Sequence, residues 1–159
     1  MQANVWNILD TCAFFSQTHP SEKLVTVNGI ETEIKNKQSL QYFRSLLNKG
    51  LELLEPSLES LAIIEQKARE TGDLDVLSKI DMKILALGHQ LGGTIVTDDF
   101  AVQNVSLGLK LEVVTCSGKK IDELRNWKYR CSGCGNISER KSDVCGICGN
   151  KEIFRIKTK

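Results

Sequence analysis

Short apolar runs alternate along the first two thirds of the chain with segments in which apolar residues recur every three or four positions. The short runs predict buried strands at residues 5–9, 24–27, 51–54, 94–97 and 111–115. The intervening segments predict helices near residues 13–15, 30–35, 39–49, 57–71, 77–91 and 100–107. Alternating strands and helices predict an α/β fold, in which a central parallel sheet has helices on both faces.

Two of these helices carry the clearest signals. In the helix at 77–91, the apolar residues are spaced by three or four positions and Gly92-Gly93 follows the last of them. In the preceding helix, Ser57 is placed as the N-cap and Ser60 and Glu65 are expected on the exposed side. The expected buried stripe of that helix is Leu58, Leu61, Ala62 and Ile64.

Charge is distributed unevenly between the two ends of the chain. Residues 1–118 contain ten lysines and arginines against fifteen acids, whereas residues 119–159 contain eleven against five. If four thiolates in the tail bind one zinc ion, the tail still has a net charge of about +4. A basic tail on an acidic body favours a polyanionic partner such as nucleic acid. A chance asymmetry of solvated surface charge is the alternative.

Four of the six cysteines form two C-x-x-C-G motifs, which are separated by ten residues. Each motif is a turn that brings two thiolates to one metal ion, so together they predict a closed tetrahedral zinc site of Cys131, Cys134, Cys145 and Cys148. A site without an open position is structural, and β-prone flanks predict a zinc ribbon. Iron in a rubredoxin-like site is the chemical competitor. Cys12 and Cys116 stand apart in the sequence and are expected to be small buried residues.

The ribbon also supplies the candidates for RNA contact, which are Lys128, Tyr129, Arg130, Arg140, Lys141, Lys151, Arg155 and Lys157. Trp127 and Tyr129 alternate with basic residues, and one of the two aromatic side chains is expected in the small ribbon core. No apolar run is long enough to cross a bilayer, and MQANVWNILD does not have the pattern of a secretion signal. These observations predict a cytoplasmic protein without a membrane partner.

Acidic residues follow two of the predicted strands, with Asp10 after the first and Asp98-Asp99 after the fourth. The carboxyl ends of parallel strands share one edge of a sheet, so these acids can meet there. Asp81 lies on the periodic helix and Glu33 at the start of an early one. Clustered carboxylates suit Mg²⁺ or Mn²⁺, which act in phosphodiester hydrolysis. Alternatively, Asp10 and one of Asp98 and Asp99 cap helices, and Glu33 is a solvated helix residue.

The segments that carry these acids resemble PIN-domain nucleases. "NILDTCAFF" is similar to the opening of that family, "VNGIETEIKNK" to its second acidic segment, and "LSKIDMKILALGHQLGGTIVTDDFAVQNVSLGLKLE" to its second half. The resemblance covers residues 4–114 and implies a three-layer sandwich with sheet order 3-2-1-4-5. It also implies Mg²⁺- or Mn²⁺-dependent RNA cleavage by Asp10, Glu33, Asp81 and Asp99, with Asp98 as a further metal ligand and Thr97 near the metal. Cys12 stands where the family usually has serine or another small residue.

A PIN domain followed by a zinc ribbon resembles one family in particular, the ribosome-assembly endonucleases in their short archaeal form. This resemblance implies cleavage of precursor small-subunit rRNA near its 3′ end, with the small ribosomal subunit and assembly factors as partners. The predicted division of the chain is a nuclease domain at 1–116, a linker at 117–126 and a zinc ribbon at 127–159. The oligomeric state is left open.

Three other functions remain as alternatives. A toxin-type PIN ribonuclease would cut tRNA or mRNA, although such toxins usually lack a ribbon. A non-catalytic RNA-binding scaffold would keep the fold without the chemistry, and the intact set of acids argues against it. A phosphoryl-transfer enzyme fits less well, because "DTC" lacks the second aspartate of the dehalogenase motif.

Overall fold

The computed structural model describes residues 5–159, which contain two sheets. Residues 1–4 of the predicted nuclease domain lie outside the described residues. The first sheet has five parallel strands in the order β3-β2-β1-β4-β5, as the resemblance implies. Its strands are β1 (Asn7–Leu9), β2 (Leu24–Val27), β3 (Glu52–Leu54), β4 (Thr94–Val96) and β5 (Val113–Val114).

Helices connect the strands and cover both faces of the sheet. They are α1 (Thr11–Ser16), α2 (Lys37–Asn48), α3 (Leu58–Thr71), α4 (Lys79–Leu91) and α5 (Phe100–Gly108). The helix expected at 30–35 is only a 3-10 turn, Ile30–Thr32, which follows Gly29 in the left-handed region. Ser57 caps α3 as predicted, and Gly72 and Gly92 end α3 and α4 in the left-handed conformation that glycine adopts most readily.

The buried face of α3 differs from the prediction. Ile64 is buried and Leu61 packs against the core as predicted, but Leu58 is 85% exposed and Ala62 is also exposed. Ser60, which was expected on the exposed side, is buried together with Ala68. The true stripe therefore runs at spacings of four, which is the row that faces α4 and α5. Leu58 is the first residue of the helix, and Ser60 accepts a hydrogen bond from the Ser57 hydroxyl at 3.0 Å.

The second sheet is an antiparallel ribbon in the order β7-β6-β8. Its strands are β6 (Asn126–Cys131), β7 (Ile137–Ser138) and β8 (Ile153–Thr158). Strand β7 is too short to give a sequence signal, whereas the two longer strands were expected. In the β6–β8 pairing Tyr129 lies opposite Arg155 and Arg130 lies opposite Phe154, so these two pairs occupy opposite faces of the ribbon.

The segment between the two sheets is held against α5. The side chain of Gln103 accepts a hydrogen bond from the Ile121 backbone N–H at 2.9 Å and donates to the carbonyl of Lys119. Asn104 accepts from the Arg125 N–H and donates to the Arg125 carbonyl, both at 2.7 Å. The boundaries at 117 and 126 stay predictions. Among residues 5–159, no helix combines the length and the apolar character that crossing a bilayer requires.

Candidate active site and metal centre

Asp10 occupies the centre of the carboxyl edge of the parallel sheet. It follows β1, which lies between β2 and β4, and its side chain is only 4% exposed. One carboxylate oxygen accepts the Thr11 backbone N–H at 2.7 Å, so Asp10 is the N-cap of α1. The other oxygen accepts the hydroxyl of Thr97 at 2.6 Å. Asp10 is thus a helix cap and also the buried acid of the sheet edge.

The end of β4 supplies the neighbours of Asp10. The Thr97 hydroxyl oxygen accepts the Asp99 backbone N–H at 3.1 Å, and therefore joins the two acids. Asp99 caps α5 by accepting the N–H groups of the two residues that follow Phe100, at 2.7 and 3.2 Å. Asp98 points elsewhere, since its Oδ1 accepts the N–H groups of Cys116 and Ser117. Of the two adjacent acids, Asp99 is therefore the helix cap.

Ser78 connects the remaining two acids. Its hydroxyl donates to Glu33 at 2.9 Å and accepts the Asp81 backbone N–H at 3.0 Å, while its own N–H donates to the Asp81 carboxylate at 2.7 Å. Ser78 and Asp81 form a capping box at the start of α4. Sequence reasoning missed Ser78, although the S-x-x-D pattern ahead of an apolar helix is the signal that identifies such a box.

The four acids influence one another electrostatically. Burial raises the pKa of Asp10 from 3.8 to about 6, and the negative charges of Asp81 and Asp99 add to that rise. The hydrogen bonds from Thr97 and Thr11 oppose it. Burial also raises the pKa of Asp81, with contributions from Asp99 and Glu33. The fold therefore gathers Asp10, Asp81, Asp99 and Glu33 into one acidic cluster.

This acidic cluster is open rather than a closed cage. Within the described part of the chain, no three of its carboxylates bring an oxygen to within 4.8 Å of one another. A hard divalent cation fits such an arrangement, because it relieves the repulsion between the acids and keeps several of its waters. Asp10, Asp81, Asp99 and Glu33 are the residues that could hold the ion. One oxygen of Asp98 accepts two backbone N–H groups, so only its second oxygen is left to bind the ion.

The four cysteines of the ribbon form the second candidate metal centre. Their sulfur atoms all lie within 4.8 Å of one another, and the Cys131–Cys148 and Cys134–Cys145 distances are both 3.6 Å. Sulfurs on the corners of a zinc tetrahedron are about 3.8 Å apart, given Zn–S bonds of about 2.3 Å. The backbone N–H groups of Cys134 and Gly133 donate to the Cys131 sulfur and lower the pKa of that thiol to about 6. The donor set therefore suits a structural zinc ion.

The candidates for RNA contact divide between the two faces of the ribbon. Arg130, Arg140, Lys141, Lys151 and Lys157 are exposed and Lys128 is half-buried. Tyr129, however, is only 4% exposed. Arg155 forms an ion pair with buried Asp73, and its guanidinium carbon lies 4.3 Å from the centroid of the Trp127 ring. Both side chains face the nuclease domain, so we correct the prediction that they contact RNA. Tyr129 is the aromatic residue of the ribbon core that the sequence left unassigned.

The opposite face of the ribbon, which carries Arg130 and which we call the outer face, also carries an aromatic residue that sequence reasoning missed. Phe154 is 49% exposed and lies directly across from Arg130, which is paired on its other side with exposed Ile137. The signal was present in the alternation of "IFRIK", where Phe154 and Ile156 fall on one face and Arg155 on the other.

A parallel sheet in this order, with acids converging at its carboxyl edge, defines a nuclease of the PIN class. The family model described as the PIN domain of ribonuclease matches residues 8–91, a range that includes Asp10, Glu33 and Asp81. The chain belongs to the PIN-domain ribonuclease family.

Similar proteins extend the match into the ribbon. The chain is 32% identical to Endoribonuclease Nob1 of Archaeoglobus fulgidus, over 94% of this chain and 90% of that protein. It is 37% identical to Ribonuclease VapC1 of Thermoplasma acidophilum, over 91% of this chain and 75% of that protein. RNA-binding protein NOB1 of Mus musculus is 40% identical over 38% of this chain and 15% of its own length.

Proposed function

We propose that this endoribonuclease cleaves precursor small-subunit rRNA near its 3′ end, with the acidic cluster as its catalytic centre. The observation that carries the proposal is the cluster itself, in which buried Asp10 is joined to Asp99 through Thr97 and is under the influence of Asp81. Relatives named Endoribonuclease Nob1 that align over nearly the whole chain support the substrate assignment. We place the enzyme in the cytoplasm, with the small ribosomal subunit and assembly factors as its partners.

The residues of the cluster have distinct tasks in this proposal. Asp10, Asp81, Asp99 and Glu33 hold a Mg²⁺ or Mn²⁺ ion. When bound, the ion supplies positive charge that offsets the carboxylates and stabilises the charge developing on the scissile phosphate. Thr97 orients Asp10, and Ser78 fixes Glu33 and Asp81 relative to each other. Because the backbone caps of α1, α4 and α5 position three of the acids, the cluster is set before RNA arrives.

The ribbon holds the RNA in this proposal, through its outer face. Arg130 and Lys128 lie there beside Phe154 and Ile137. A basic side chain next to an exposed aromatic ring is the combination that binds phosphates and stacks a base of single-stranded RNA. Zinc, as the structural ion of the four cysteines, keeps that face folded. Phe154 takes the stacking role for which Tyr129 was predicted.

Cleavage of a defined substrate tests the proposal. The full zinc-loaded chain is incubated with precursor small-subunit rRNA and Mn²⁺, and the new ends are mapped for the wild type, Asp10→Asn and the exposed control Asp122→Asn. We expect one cut near the 3′ end with the wild type and the control, and a loss of cleavage of at least roughly 100-fold with Asp10→Asn. Equal cutting by all three would exclude the acidic cluster as the catalyst.

RNA binding is measured with the same proteins. Asp10→Asn should retain binding, whereas Phe154→Ala combined with Arg130→Ala should weaken it by roughly tenfold or more, because a stacked base contributes about 1–3 kcal/mol. Leu58→Ala is the control, since it removes an exposed apolar side chain from the nuclease domain. If the control weakens binding as much as the double variant, the outer face is not the RNA site.

A toxin-type ribonuclease is the second candidate, and the similarity to Ribonuclease VapC1 favours it. That match covers 91% of this chain, so it includes part of the basic tail as well as the nuclease domain. We therefore include tRNA and mRNA as substrates in the cleavage experiment. Efficient cutting of these RNAs, with precursor rRNA left intact, would replace the rRNA assignment by this one.

A further inference from the structure

Cys12 and Cys116 are separated by 104 positions in the sequence, yet their sulfur atoms are 3.0 Å apart. Cys12 lies in the first turn of α1, two residues after Asp10, and Cys116 lies just after β5. Both side chains are half-buried, and neither belongs to the zinc ribbon. No sequence pattern pairs them, and both were expected to be small buried residues.

The surroundings of the two sulfurs keep them facing each other. The Cys12 sulfur lies 3.8 Å from the carbonyl of Val96, and the Cys116 sulfur lies 3.2 Å from the carbonyl of Thr18. Asp98 accepts the Cys116 backbone N–H at 2.8 Å, which fixes the segment that carries this cysteine. A disulfide bond is about 2.05 Å long, so a closing movement of about 1 Å joins the two sulfurs.

We propose that Cys12 and Cys116 form a site of covalent modification, a reversible disulfide that ties α1 to the segment after β5. The bond closes a loop that contains nearly the whole nuclease domain. A cross-link of that length restricts the unfolded chain strongly and therefore stabilises the fold. It also connects helix α1, which follows Asp10, to the segment at Cys116 and Ser117, whose N–H groups donate to Asp98. The bond therefore restrains the two segments relative to each other at the carboxyl edge of the sheet. The inference does not depend on the RNA substrate.

The chemistry needs an oxidant, for which we take a small-molecule disulfide such as oxidised glutathione. The Cys116 thiolate attacks one sulfur of the oxidant, the S–S bond of the oxidant breaks, and one thiol leaves. The Cys12 thiol then attacks the Cys116 sulfur of the mixed disulfide, its proton passes to the departing sulfur, and the second thiol is released. The two cysteines together lose two electrons and two protons, and the oxidant is reduced to two thiols.

A thiophilic metal is the competing occupant, because a carboxylate oxygen of Asp98 and the two sulfurs lie within 4.8 Å of one another. The geometry favours the disulfide for two reasons. The sulfurs are 3.0 Å apart, whereas the paired sulfurs in the ribbon are 3.6 Å apart, close to the spacing of about 3.8 Å around one zinc ion. Asp98 also already accepts two backbone N–H groups through one oxygen.

Peptide mapping of the full zinc-loaded chain tests the proposal, since bound zinc protects the ribbon thiols from oxidation. The protein is treated with oxidised glutathione and digested with trypsin without reduction. We expect a cross-linked species of the peptides 1–23 and 111–119, lighter by two hydrogens than their sum and abolished by reduction. Failure of the cross-link to form in folded protein, or a cross-link between Cys12 and a ribbon cysteine, would overturn the proposal.

Thermal unfolding provides a second readout that does not rely on the digest. The oxidised wild type should melt roughly 10 °C above the reduced protein. Cys12→Ser and Cys116→Ser should each melt at one temperature, whichever redox treatment they receive. A second equivalent of zinc in the untreated wild type that is lost in Cys12→Ser would also overturn the disulfide, by assigning the site to a metal.

Discussion

The nuclease domain contains a continuous core of twenty-two buried apolar side chains between Ile8 and Val113, whereas the described part of the ribbon buries only Tyr129, Cys131 and Cys145. The two regions must therefore obtain their stability from different sources. The first buries enough apolar surface to fold by the hydrophobic effect. The ribbon is too small for that, so binding of a metal ion must contribute much of its folding free energy.

The two candidate metal centres differ in the same way. The four cysteines come from two short turns within eighteen residues, and the backbone N–H groups of those turns support their sulfurs. The acids come from positions 10 to 99, and helix caps and Thr97 hold them. The thiol site therefore requires its ion in order to assemble. The acidic cluster, in contrast, is assembled by the fold, and the burial and mutual repulsion of its carboxylates cost free energy.

The largest expected effect comes from emptying the thiol site. Cys145→Ser, or a zinc chelator, should unfold β6, β7 and β8 while the nuclease domain stays folded, because structural zinc contributes about 10 kcal/mol or more to such modules. Amide hydrogen exchange measures this region by region, and we expect protection to vanish in 126–158 and to persist in β1 and β4. Simultaneous loss of protection in both regions would mean that they fold as one unit and would break the comparison.

The contact between the two regions gives the next largest effect. Asp73 is completely buried, where it accepts hydrogen bonds from Thr71 and Asn104 of the nuclease domain and from Arg155 of the ribbon. Asp73→Ala leaves the charge of Arg155 and the amide of Asn104 without their partner, so we expect a loss of about 3 kcal/mol in the free energy of unfolding. Denaturant titration measures it.

Asp75→Ala is the matched control for that experiment, because Asp75 is exposed and accepts only the backbone N–H of Lys141 across the same contact. It should cost about 1 kcal/mol or less. Arg155→Ala combined with Asp73→Ala should be less harmful than the sum of the two single changes. Full additivity would show that the ion pair does not couple the ribbon to the nuclease domain.

Gly72 allows the contact between the two regions to be tested by adding a single methyl group. Gly72 and Gly92 both end helices in the left-handed region, at φ of 76° and 58°. An added Cβ at Gly72 would lie 2.1 Å from the carbonyl oxygen of Trp127 in the ribbon, whereas one at Gly92 meets nothing within 4 Å. We expect Gly92→Ala to cost about 1 kcal/mol and Gly72→Ala about 3 kcal/mol, measured by thermal unfolding. Equal costs would indicate that the ribbon moves away freely.

Much of this architecture was predictable because residues close together in the sequence determine it. The period of the apolar residues located the strands and helices, and the resemblance to PIN nucleases implied the sheet order, which the structure confirms. The position of Asp10 and Asp99 after two predicted strands indicated that they can meet, and the resemblance implied the strand order that makes those strands adjacent. The C-x-x-C-G spacing was enough to predict that four sulfurs converge, since each turn is self-contained.

The errors concern contacts that only the tertiary structure decides. Leu58 and Ser60 were assigned to the wrong sides of α3, because the row that packs against α4 and α5 runs through Ser60, Ile64 and Ala68 and leaves Leu58 outside it. Tyr129 and Arg155 were assigned to RNA, because nothing local shows that their face of the ribbon meets Asp73. Cys12 and Cys116 are the extreme case, since only the completed fold makes them neighbours.

The last prediction concerns the cost of the acidic cluster itself, which depends on pH. Folding raises the pKa of Asp10 from 3.8 to about 6, so the folded chain binds this proton more tightly than the unfolded chain. Acidification from pH 6 to pH 4 should therefore stabilise the metal-free protein relative to Asp10→Asn. At pH 7 the ionised carboxylate costs up to about 3 kcal/mol, so we expect Asp10→Asn to be the more stable protein there, with a difference that vanishes near pH 4.

Denaturant titrations of both proteins across this pH range, with and without Mn²⁺, separate the possible causes. Mn²⁺ should recover the stability of the wild type at pH 7 and leave Asp10→Asn nearly unchanged, because an ion that binds only the folded acidic cluster stabilises it by mass action. Identical pH profiles for the two proteins would show that neither burial nor the acidic neighbours raise the pKa of Asp10 in the metal-free protein. The acidic cluster would then resemble the thiol site, with acids that come together only once an ion is bound.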